Sequence, residues 1–87
     1  MSTIGAEMGQ LQSLKSTFDR ESQSVNQLTG AITGQLNSTW WKGPAADNFR
    51  SSWDSEFAPM LRKLEEQLQQ CSQEVQRRHD SLQQAGT

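Results

Sequence analysis

The sequence predicts an all-α protein, an antiparallel two-helix hairpin that pairs with a second hairpin into a four-helix bundle dimer. Three observations predict it. Two long segments carry apolar residues at helical spacing, and a short stretch rich in turn residues separates them. The apolar content is also too thin for so small a chain to make a core alone. Leu, Ile, Val and Phe number 15 of 87 residues, about 17%, below the ~20% at which disorder becomes a serious reading. High net charge, the other half of the disorder signature, is missing: 8 basic against 10 acidic residues leave −2. Polarity comes from neutral residues instead, with 12 Gln and 11 Ser. One domain over residues 1–87 is expected, with a partner to complete its core.

The first helix is expected over about residues 5–37. Ile4, Leu11, Phe18, Val25 and Ile32 recur every seven residues, Leu14 and Leu28 follow two of them by three, and Met8 and Leu36 widen the stripe. This is a narrow one-sided seam, interrupted by Glu7, Glu21 and Gln35. Gly5, Gly9, Gly30 and Gly34 lie in the segment, each costing up to ~1 kcal/mol against Ala in a helix interior. Fraying accounts for the first pair; the second pair lies near the turn and could also admit a close helix.

The turn, residues 38–43, carries Trp40, Trp41, Lys42 and Gly43, with Pro44 next. Gly43 can leave helical dihedrals cheaply, Pro44 suits the first position of a new helix, and Asp47 in the first turn complements the helix dipole. A connection this short makes the two helices antiparallel neighbours.

The second helix is expected over about residues 44–84. Ala46, Phe49, Trp53, Phe57, Met60, Leu64, Leu68, Cys71, Val75, His79 and Leu82 follow an 11-residue repeat of 3, 4 and 4, which keeps a stripe nearly straight along the helix. Pro59 has no N–H to give the carbonyl of Ser55 and should kink or pause the helix there. At 1.5 Å per residue the segments span roughly 48 and 60 Å. Leu11, Leu14, Phe18, Val25, Leu28, Ile32, Phe49, Trp53, Phe57, Met60, Leu64 and Leu68 are the candidate hairpin or dimer interface.

Several function classes fall away. A sequence pI near 5.2 with no Lys/Arg cluster gives no footprint for nucleic acid. No stretch approaches the ~18 apolar residues of a membrane span, and the N-terminus has neither the basic start nor the apolar run of a signal peptide. One Cys and one His, eight residues apart, give no metal cluster and no nucleophile–base pair. Cys71 on the apolar stripe reads as a small buried hydrophobe. No enzyme activity, cofactor or small-molecule substrate is expected.

Trp41-Lys42-Gly43 at the middle of the chain, Ala45-Ala46 after it and the aromatic Phe49 resemble the WXG family of early-secreted-antigen-like substrates of type VII secretion, and the resemblance covers nearly the whole length. It implies a helical hairpin exported without a cleavable signal peptide, after synthesis in a bacterial cytoplasm, through a machine driven by an ATPase. The implied partners are a second copy, a related WXG-family protein and that secretion ATPase. Trp41 and Gly43 carry over as the secretion and turn motif, with the indole capping the end of the bundle, read by the machinery, or both. Many members carry Tyr-x-x-x-Asp/Glu after the second helix. This chain has no tyrosine, and the residue four on from His79 is Gln83, so a related partner supplies that signal or the system uses a looser one.

The leading expectation is therefore a secreted, dimeric protein-interaction module or carrier for another substrate. Its alternatives are an intracellular coiled-coil adaptor whose Trp-x-Gly is coincidental, and a membrane-active effector. The second helix bears aromatics, but its polar face is Gln-rich and not basic, which gives the effector reading little support.

Overall fold

Glu7 opens the first helix. Its backbone is extended (φ −80°, ψ 123°), and its carboxylate accepts from the N–H groups of Gly9 and Gln10 at 3.1 and 2.6 Å, two of the donors that every helix start leaves unpaired. The computed structural model describes residues 5–85. Helix α1 runs Met8–Ser38, so Gly5 precedes it and Gly9 lies in its first turn. Ile4, first member of the seven-residue series, and the Gly86–Thr87 tail lie outside the described residues.

The chain reverses over residues 39–43. Gly43 holds φ +120° and ψ 174°, a combination almost confined to glycine, and Pro44 takes the first position of α2 (Pro44–Ser52). A π-helical turn follows at Trp53–Phe57, in which the Ala58 N–H reaches back to the Trp53 carbonyl. It leads into α3 (Ala58–Ala85). The π turn lies one residue short of the expected disturbance at Pro59. A proline ring crowds the carbonyl four residues back, and widening the preceding turn by one residue accommodates it without ending the helix.

The two arms form a rod of 67 × 18 × 17 Å, and among the described residues it is helical throughout with no strand. Covered or partly covered positions of the inner face of α1 are Met8, Leu11, Lys15, Phe18, Ser22, Val25, Thr29, Thr33 and Leu36, and Asp19 is partly covered beside Phe18. On the second arm they are Ala46, Arg50, Trp53, Ala58, Leu61, Glu65, Leu68, Ser72, Val75, His79 and Leu82, with Ser52, Glu74 and Gln76 partly covered beside them. The step of five from Trp53 to Ala58 is the π turn. Beyond it the steps of 3 and 4 are those of a heptad seam, not the 11-residue repeat of the apolar residues. The two sets differ because the seam accepts Glu65 and Ser72 where the apolar stripe runs through Leu64 and Cys71.

The seam is unusually polar. Among the described apolar residues only Ala46, Trp53 and Ala58 are buried, alongside Ser22, Ser72 and His79. The Ser22 hydroxyl donates to the Glu65 carbonyl at 3.1 Å, the Ser72 hydroxyl to the Asp19 carboxylate, and the Trp53 indole N–H to the Thr33 hydroxyl at 2.9 Å. Buried polar atoms are thus paired across the helices. Little apolar area holds the arms together, so much of it is left outside.

Candidate functional site

Where the apolar area goes follows from helix geometry. The exposed large apolar residues of the helices are Leu14, Leu28, Ile32, Phe49, Phe57, Met60 and Leu64. Each immediately precedes a covered position on its own helix. Positions that precede the seam on two antiparallel helices flank the same side of the pair. All seven therefore line one side of the rod, with the exposed Cys71 continuing the row. Met60 is 64% exposed and Leu28 48%.

The opposite side is polar. Positions immediately after covered ones include Asp19, Gln23, Asn26, Gly30 and Gly34 on α1, with Arg62, Glu66, Gln69 and Gln73 on α3. Asn26 donates its amide to Glu65 there, at 3.4 Å, above a shallow groove floored by Gly30 and Gly34. Of the remaining sequence-derived interface residues, Leu11, Phe18, Val25 and Leu68 are partly covered in the seam, and Trp53 is buried.

The bend is the second distinctive surface. Trp41 packs on Phe49, with ring centroids 5.8 Å apart and planes tilted by 50°, and the Arg50 guanidinium carbon lies 6.0 Å from the Trp41 ring centroid. Edge-tilted aromatic pairs and a cation near an indole both favour this seat. Arg50 also donates to three carbonyls, those of Trp41 at 2.8 Å, Thr39 at 3.0 Å and Leu36 at 3.4 Å. Trp41 is accordingly 39% exposed, whereas its neighbour Trp40 is 85% exposed. Beside the two indoles opens a cavity of about 400 Å³, lined also by Lys42, Asp47 and Arg50.

The sequence carried no mark on Arg50, yet a signal existed. Helix α1 has no basic residue in its last turn and ends on Thr39 in extended conformation, without the glycine that commonly closes a helix. Its last carbonyls need donors, and a cation nearby in sequence is the natural source. Thr33, which accepts from Trp53, gave no such sign.

At the far end of the rod the charges interlock. Lys15 bonds Asp19 at 2.8 Å, Glu74 pairs with Arg77 and with Arg78 at 2.8 Å, and His79 lies 3.3 Å from Asp80. Hydrogen bonds from Lys15 and then Ser72 hold the Asp19 carboxyl below its ordinary range, the Arg77 bond does so for Glu74, and the His79 contact for Asp80. Among the described residues no group of His, Cys, Asp or Glu is placed to hold a metal ion, and no helix is long and apolar enough to cross a membrane.

These features define a helical hairpin with one apolar side, one polar side and an aromatic bend. A family model described as "Proteins of 100 residues with WXG" (WXG100) matches residues 3–87, and the chain belongs to that family. It is a family of small, non-enzymatic helical hairpins among secreted proteins, substrates of type VII secretion. No curated protein and no solved structure gives a match.

Proposed function

We propose that this chain is an exported protein-interaction module that acts as a dimer, burying the apolar side of the hairpin against a second hairpin in a four-helix bundle. The observation that carries the reading is the confinement of all seven exposed large apolar helix residues to one side. The rod exposes 6703 Å², against about 5,200 Å² for a compact monomer of this mass. Contiguous apolar area of this kind marks an interaction surface, and a standard interface removes roughly 800 Å² from each partner.

In this reading the Trp41–Gly43 bend is the feature presented to the export machinery and its ATPase, and the chain travels paired with a second copy or as carrier for a related protein. A second copy or a related hairpin of the same family can each supply the opposing apolar side.

Light scattering on the purified chain, read together with its far-ultraviolet circular dichroism, tests the proposal. A strongly helical species of about twice 9.8 kDa supports self-pairing. A poorly helical monomer that becomes helical only on adding a related hairpin assigns the role to a mixed pair. A fully helical monomer at all concentrations overturns the reading, and leakage of neutral liposomes would favour a membrane-active role instead.

A further inference from the structure

The end of α1 presents a physical problem that its own sequence leaves unsolved. Four carbonyls at a helix C-terminus lack intrahelical donors and carry the negative end of the dipole. Ser38 and Thr39 both donate to the same one, the carbonyl of Gln35, at 3.1 and 2.6 Å. The carbonyl of Leu36 and the two bend carbonyls of Thr39 and Trp41 are reached instead from the next helix, by Arg50.

Arg50 is suited to this by more than charge. Its Nη1 serves Trp41 while its Nη2 serves Thr39 and Leu36, so one planar group spans the helix end and the bend at once. A lysine carries the charge but no rigid fork. The same guanidinium lies by the Trp41 ring, which rests on Phe49, the residue before Arg50 on α2. Trp40 and Trp41 are adjacent and chemically identical, yet one is held and the other stands almost fully in solvent.

We propose that Arg50 is the positioning residue of the bend: it closes α1 from the neighbouring helix and thereby decides which of the two tryptophans is seated and which projects. This deepens the export reading given above and rests on it only for the consequence, namely that the secretion motif is presented in one fixed geometry.

The test uses full-length chain labelled with 5-fluorotryptophan, its three fluorine resonances assigned by single Trp→Phe replacements. The solvent isotope shift between light and heavy water reports the exposure of each indole. In the wild type it should be large for Trp40, intermediate for Trp41 and small for Trp53. In Arg50→Lys and Arg50→Gln the Trp41 value should rise towards that of Trp40, with Trp53 and the helical circular dichroism unchanged. Export from a bacterium with a type VII system should fall to the level of Trp41→Ala. An unchanged Trp41 shift in both variants overturns the proposal, as does a rise at all three indoles together, which would make Arg50 a general stabiliser. A freed Trp41 with normal export overturns the consequence if Trp41→Ala is itself defective. If Trp41→Ala is exported normally too, the positioning role stands and the export reading of the motif falls.

Discussion

Ser72 on α3 donates its hydroxyl hydrogen to Asp19 on α1, while Lys15 holds the other carboxylate oxygen at 2.8 Å. This cross-helix bond sits on the open half of the rod, far from the bend that covalently joins the arms. Both partners favour the charged carboxylate, Lys15 most, so the Asp19 pKa lies below its ordinary 3.8. A depressed carboxylate pKa contributes stability that is fully present above the unfolded value and is lost as pH falls through the folded one. Glu74 and Asp80, also lowered, add to it with the same sign. The thermal midpoint should therefore stay flat down to about pH 5 and drop at more acid pH. Asp19→Asn should lower the plateau and flatten the acid limb; an acid limb as steep as the wild type's would remove Asp19 from the account.

Trp53 and Thr33 make the corresponding bond near the closed end. Replacing Thr33 by Val keeps shape and leaves the buried indole N–H without an acceptor, which should cost about 1–3 kcal/mol. Trp53→Phe in the Thr33→Val background removes the orphaned donor, so the double variant should lose less than the sum of the two single ones. Urea unfolding curves give all four corners of that cycle.

Glycine substitutions should change sign along the chain. Beyond the adjoining chain and the helix's own backbone, no atom lies within 4 Å of where a Cβ would stand on Gly43, Gly30 or Gly34, so backbone conformation decides the sign. At Gly43, with φ +120°, alanine is strained by about 1–3 kcal/mol. At Gly30 and Gly34, inside α1 and open to solvent, alanine should instead stabilise by roughly 0.5–1 kcal/mol each. Thermal melts of the three single variants check the contrast, and destabilisation at Gly30 or Gly34 would show that a second helix packs on the polar groove.

The same contrasts explain what could be read in the sequence. The two arms and their reversal were legible because Gly43-Pro44 and steps of 3 and 4 are local signals. Which apolar residues face the other arm was not legible. Periodicity counts apolar residues, but the seam spends Lys15, Ser22, Glu65 and Ser72 on covered positions, and the π turn shifts the register by one residue between Trp53 and Ala58. The stripe through Phe57, Leu64 and Cys71 therefore lies beside the seam and not in it. Arg50 escaped notice for another reason: its acceptors stand 9 to 14 residues earlier in the chain, and only the folded bend brings them within reach.

That division of faces yields the last prediction. Phe18 lies in the seam and is partly covered, while Leu28 stands on the outer apolar side. A carboxylate in either place should end pairing, but by different routes. Phe18→Asp puts a charge between the arms and should cost helicity as well as mass, because the carboxylate is drawn partly out of water there. Leu28→Asp places its charge in water within the monomer, so it should lose the partner while keeping more of the circular dichroism than Phe18→Asp does. Leu64→Asp, on the same side of α3, should behave like Leu28→Asp. Sedimentation of the three variants against their ellipticity separates the cases: a helical dimer that survives both Leu28→Asp and Leu64→Asp would mean that pairing uses the polar side, and that the apolar row from Leu14 to Leu64 serves some other contact.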